Sequence, residues 1–94
     1  MLTFLMLGKY SLEALKEISA ERTNNAVNLI KKLGGEVHSM YALLGNIDLA
    51  FVVDFPGLEQ GMKASVALSK QMGISFTTLL AIEVKDFDKM ISDI

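Results

Sequence analysis

The stretch Leu44-Gly45-Asn46-Ile47-Asp48-Leu49-Ala50-Phe51-Val52-Val53-Asp54-Phe55, LGNIDLAFVVDF, alternates with a period of two. Ile47, Leu49, Phe51, Val53 and Phe55 form one bulky row, and Asp48, Ala50, Val52 and Asp54 point the other way, as on a strand with one face on a core. Gly45 at the first central position of a two-residue loop suits a type II′ turn. Glu36–Leu44 and Ile47–Phe55 are therefore predicted to form a hairpin in which Leu44 faces Ile47 and Leu43 faces Asp48.

Working outward, Met1–Lys9 is short, apolar and stops near a glycine, as a first strand would. Ser11 is placed to cap a helix with Glu13 in its first turn and Leu12, Leu15 and Ile18 on one face. The stripe weakens around Ser19, which caps a second segment carrying Ala26, Leu29, Ile30 and Leu33, until Gly34-Gly35 ends it. After Pro56-Gly57, a helix with the stripe Leu58, Met62, Val66, Ser69 and Met72 runs to Gly73, and Gly61 weakens it locally. Ile74–Glu83 is a fourth strand. Asp86 is then expected to cap a short helix whose Phe87, Met90, Ile91 and Ile94 dock onto the body. The order β-α-β-β-α-β plus a terminal helix predicts an α+β, ferredoxin-like sandwich in a single domain over residues 1–94, because right-handed crossovers put both helices on one side of the sheet.

Composition bounds the function. The chain has 94 residues, 51 % hydrophobic and 21 % charged, more apolar side chain than a small monomer usually displays, so part of the excess is expected in a subunit interface. The even-numbered row of strand three, with Leu79 and Ala81 of strand four, leaves the face away from the helices partly apolar. A second sheet is expected to cover it, as in a face-to-face dimeric α/β barrel. A net charge of −2 offers no field for nucleic acid. No run approaches the roughly 20 apolar residues that span a bilayer, so no membrane partner is expected. The lack of cysteine fits a cytoplasmic location.

Leu7-Gly8-Lys9-Tyr10, Ser19-x-x-Arg22, Lys32-Leu33-Gly34-Gly35, Leu44-Gly45-Asn46-Ile47-Asp48 and Pro56 together resemble the GYD domain family over nearly the whole chain. The resemblance implies a ferredoxin-like chain that assembles as a dimeric α/β barrel, and no particular reaction. Gly45 and Asp48 match the naming motif, with Gly8, Arg22 and Gly35 as secondary matches. Ile47 stands where the family usually has Tyr, and Gly57 where acidic residues are usual.

Chemistry-bearing residues are few. The hairpin register puts Tyr41 diagonally near Asp48 on the open face. Asp48 is a candidate base, with Tyr41 as donor, or else an acceptor of backbone or Arg22 hydrogen bonds beside the turn. Arg22 and Asp48 are the candidate ligand-binding residues. His38, the third catalytic candidate, falls by this register on the face of Met40, Ala42 and Val53. A single histidine without cysteine or a neighbouring acidic cluster predicts no metal site, and no cofactor is expected. Asp54 lies about 20 Å along the strand from Asp48 and reads as a solvated strand end. No nucleophile elbow surrounds Ser75, Thr77 or Thr78, and Gly34-Gly35 lacks the later residues of a phosphate loop. The expected function is thus a homo-oligomeric module holding a small apolar molecule between its sheets. The alternatives are a cofactor-independent isomerase or oxygenase, which rests on fold analogy, and a regulatory ligand sensor.

Overall fold

The computed structural model describes residues 1–94. Four strands, β1 (Leu2–Tyr10), β2 (Glu36–Ala42), β3 (Leu49–Phe55) and β4 (Ile74–Ala81), form one sheet in the order β2-β3-β1-β4. Every neighbouring pair is antiparallel. Helices α1 (Leu12–Lys16) and α2 (Ala20–Lys32) connect β1 to β2, and α3 (Leu58–Met72) connects β3 to β4. Each crossover thus skips one strand, which is the split β-α-β arrangement of a ferredoxin-like α+β fold. Helix α4 (Val84–Ile91) follows β4.

The local signals act as expected at most boundaries. The Ser11 hydroxyl accepts the Ala14 N–H and the Ser19 hydroxyl accepts the Arg22 N–H, each at 3.0 Å, so two separate helix starts account for the break after Lys16. Gly73 ends α3 in the left-handed conformation, with φ 66°. The core is the odd row of β3 against β1 and the helices: Phe51, Val53 and Phe55 with Phe4, Met6, Ala26, Ile30, Ala64 and Leu68. Phe4 and Phe55 meet edge to face at 5.7 Å.

Several expectations need correction. Strand pairing in the hairpin stops at Ala42↔Leu49, so Leu43 to Asp48 is a loop and Ile47 is not part of β3. The register is nevertheless the expected one there, with the Leu43 N–H bonded to the Asp48 carbonyl at 2.8 Å. In α3 the face turned to the core carries Gly61, Ala64 and Leu68, while Leu58, Met62 and Val66 are exposed. The reason is close approach: a Cβ on Gly61 would lie 2.8 Å from Phe4 Cζ, so small residues are needed on the buried side. In α1, Ala14 is buried and Leu12 and Leu15 are exposed, as is Ile18 beyond the end of the helix. Strand β4 ends at Ala81, Glu83 rather than Asp86 occupies the N-cap of α4, and no residue of α4 is buried. The terminal helix thus projects an apolar stripe of Phe87, Met90 and Ile91 instead of docking on its own body.

The turn into β2 is tightly packed. A Cβ on Gly35 would come within 2.7 Å of the Phe55 ring and 2.8 Å of Ile30 Cγ2, two fully buried side chains. Substituting Gly35→Ala is expected to destabilise the fold by about 1–3 kcal/mol through overpacking. Urea unfolding of the two proteins checks this, and an unchanged midpoint would show that the Phe55 ring is free to retreat.

Candidate functional site

The helix-free side of the sheet holds the main polar cluster, and a β-bulge builds it. Val37 pairs with Val53 and Ser39 with Val52, leaving His38 as one extra residue between them. An unbroken register would place His38 against Val53 on the helix side. The bulge turns it to the open face instead, where its Nε2 lies 2.6 Å from Asp54 Oδ2. This corrects the expected companionship of His38 with Met40 and Val53. It also corrects the reading of Asp54 as a solvated end: its side chain is only 18 % exposed, and Thr3 donates its hydroxyl to Oδ1 at 2.6 Å. Glu36 sits directly opposite Asp54, and one ligand-capable atom from each of Glu36, His38 and Asp54 falls within 4.8 Å of the others. Nearness in sequence did not display this acidic neighbourhood, because strand pairing supplies half of it. The available signal was apolar Val37 and Met40, three residues apart yet both turned inward, a spacing that an unbulged strand cannot produce.

The pair is electrostatically coupled. The hydrogen bond to Asp54 and the Asp54 charge hold the His38 imidazole above its usual pKa, with Glu36 adding to the effect. The Thr3 and His38 hydrogen bonds hold the Asp54 carboxyl below its usual range, helped by the His38 charge and the amino terminus. Asp54 thus fixes the ring and stabilises its protonated form. A groove of about 950 Å³ borders the cluster, and its lining mixes apolar Leu2, Val52 and Leu80 with acidic Asp54, Glu83 and Asp86.

The other candidates gather at the opposite end of β3. Asp48 Oδ2 accepts the Tyr10 N–H at 2.9 Å, and the Asp48 N–H bonds the Gly8 carbonyl at 2.9 Å, so this residue prolongs the β1–β3 ladder beyond its last pair. Arg22 does not reach Asp48. Its guanidinium donates to the Ala14 carbonyl and lies 5.1 Å over the Tyr10 ring, a cation–π contact. Asp48 and Arg22 therefore both converge on Tyr10, which sequence reasoning did not single out, beside a cavity of about 260 Å³ lined mainly by apolar residues including Ile18, Met40 and Phe51. Tyr41 stands opposite Ala50 on the open face, exposed and without a hydrogen-bond partner. The structure brings His38 to Asp54 and leaves Asp48 with Tyr10, so the three catalytic candidates do not share one pocket.

Fold and site define a small α+β domain with one covered and one open sheet face. The GYD domain model matches residues 4–91, and the chain belongs to that family. Among solved structures it is similar to the Leucine response regulatory protein (LrpA) of Mycobacterium tuberculosis, with a TM-score of 0.57 and 10 % identity over 87 % of this chain and 51 % of that one. The chain thus spans about half the length of that regulator, and the likeness concerns the ferredoxin-like fold. No curated protein matches. No helix is long and apolar enough to cross a membrane.

The coupling fixes a pH response. A raised His38 pKa contributes stability that is complete below the unfolded imidazole value and is lost as pH rises through the folded one. A lowered Asp54 pKa contributes stability that is complete above the unfolded carboxyl value and is lost as pH falls through the folded one. Stability from the pair is therefore greatest between the two unfolded-state values, and it declines on either side as pH approaches the folded-state ones. NMR titration of the single imidazole is expected to give a midpoint above that of free histidine in the native protein. In Asp54→Asn the midpoint should fall towards the free value, and an unmoved midpoint would remove Asp54 as the cause.

Proposed function

We propose that the chain works as a homo-oligomer whose open sheet faces pair and enclose a small apolar molecule. The observation that supports this reading is the centre of the uncovered face. Strand register places Leu5 and Leu7 of β1, Ala50 and Val52 of β3, and Leu79 and Ala81 of β4 on that side. An uncovered sheet face in water is ordinarily polar, and a contiguous apolar patch of this kind marks an interaction surface. The alternation that buries Phe4, Met6, Phe51 and Val53 under the helices leaves these six residues outside, and only 14 of the 94 residues are buried in the single chain. Two such faces stacked about 10 Å apart would bury both patches and leave a lumen with the His38–Asp54 pairs at its rim. Likeness in fold to a regulatory protein is compatible with a ligand-sensing role for such a lumen.

Native mass spectrometry of gently purified protein tests this reading, because it reports the assembly and a retained ligand together. A dimer or larger even-numbered assembly is expected, and Leu5→Lys, a charge in the middle of the apolar row, is expected to shift it to monomer while the domain keeps its secondary structure. A wild-type protein that stays monomeric at micromolar concentration would overturn the proposal.

The Thr3–Asp54–His38 chain of hydrogen bonds favours a second reading, that of a cofactor-independent isomerase. With Nε2–H donated to Asp54, the His38 Nδ1 lone pair is the basic site. It would take a proton from a carbon acid in the groove and return it to a neighbouring carbon, while Asp54 steadies the imidazolium between the two transfers. His38→Gln is expected to leave the assembly intact and abolish turnover of the molecule that the native protein retains. Undiminished turnover in that variant would rule the base out.

A further inference from the structure

We propose that Glu36, His38 and Asp54 form a binding site for a divalent transition-metal ion at the β2 bulge. The donor set is one imidazole nitrogen and two carboxylates, a mixture that suits Zn²⁺ or Mn²⁺ better than an all-oxygen ion such as Mg²⁺. Two features of the fold bring the donors together. Cross-strand pairing places Glu36 opposite Asp54, and the bulge inserts His38 on the same side. The donor atoms lie within 4.8 Å of one another. Ligand atoms sit about 2.0–2.2 Å from zinc, so two donors of one ion are separated by at most about 4.4 Å, and the exposed Glu36 side chain has the freedom to close that gap.

A charge argument reinforces the geometry. Like charges directly opposed on neighbouring strands are destabilising, yet Glu36 and Asp54 face each other with no Lys or Arg paired to either. His38 is the one side chain in ion-pair contact with Asp54, the amino terminus adding a longer-range attraction, and the Glu36 carboxylate has no hydrogen-bond partner within the chain. A divalent ion would neutralise both carboxylates at once. It would take the place of the proton shared by His38 Nε2 and Asp54 Oδ2, whose separation of 2.6 Å would open to about 3.4 Å at tetrahedral angles. Thr3, already bonded to Asp54 Oδ1, would orient that ligand from outside the coordination shell, as supporting groups do in metal sites. Glu83 and Asp86 on the groove wall add negative charge along the approach. The site needs only one chain and stands independently of face-to-face pairing.

The single histidine makes the test direct. Tag-free protein at neutral pH is titrated with zinc sulfate while the His38 ring is followed by NMR, and manganese chloride serves as a paramagnetic probe in a second titration. One equivalent of Zn²⁺ is expected to shift the ring resonances, Mn²⁺ to broaden Glu36, His38 and Asp54 ahead of other residues, and Mg²⁺ to leave the ring unmoved. Glu36→Gln, a change on an exposed position of an edge strand, is expected to weaken Zn²⁺ binding by more than about tenfold with an otherwise native amide spectrum. Ring resonances that stay in place under excess Zn²⁺ would overturn the site. So would Glu36→Gln protein that binds Zn²⁺ as tightly as the original, since the ion would then rest on His38 and Asp54 alone.

Discussion

The burial of Phe55 is the constraint on which the rest of this small protein depends. Its ring fills the space beside Gly35, meets Phe4 edge to face, and is wholly shielded from solvent. It thereby ties the end of β3 to the start of β1 and to the turn that leads from α2 into β2. Because side chains alternate along a strand, fixing Phe55 and Val53 inward fixes Asp54 outward. The polar cluster thus inherits its position from the hydrophobic core. A domain this small has little interior volume, and glycine at Gly35 and Gly61 lets the aromatic rings approach the backbone closely enough to fill it.

The element order and the hairpin register were legible because each has a local cause. Serine caps and the period-two run of β3 act over a few residues, and the chain obeys them, while the tight Gly45 turn opens into the loop Leu43 to Asp48 without changing the register beside it. What escaped was decided by tertiary packing. The inward face of α3 consists of Gly61, Ala64 and Leu68, so the most hydrophobic stripe of that helix is the outer one. The bulge at His38 moved one residue across the sheet and with it the whole meaning of Asp54. A period-two reading of β2 has no place for an extra residue, although the inward pair Val37 and Met40 demanded one. For Asp48 the sequence left a base and a backbone acceptor both open, and its carboxylate accepts the Tyr10 N–H.

The apolar excess noted in the composition has a definite distribution. It lies on the open sheet face, along the outer side of α3, and on the projecting α4, where Phe87, Met90 and Ile91 are exposed. These surfaces differ in kind. The apolar part of the sheet face runs across three strands, whereas α4 leaves the end of an edge strand as an arm of the molecule. Membership of the GYD domain family and likeness to part of a regulatory protein both belong to a fold whose helices cover a single side, so the chemistry of the other side depends on whatever meets it.

The bulge in β2 has a consequence for how copies of the chain meet. Strand β2 lies at the outside of the sheet, and an outer strand offers a row of unpaired N–H and C=O groups on which another strand can template itself. A strand approaching β2 would find its hydrogen-bonding groups out of step across His38, with the Glu36 carboxylate beside the interruption. Ribbon-like extension of the sheet from molecule to molecule is therefore discouraged at this margin. The irregularity that gathers His38 and Asp54 also guards the protein against open-ended polymerisation.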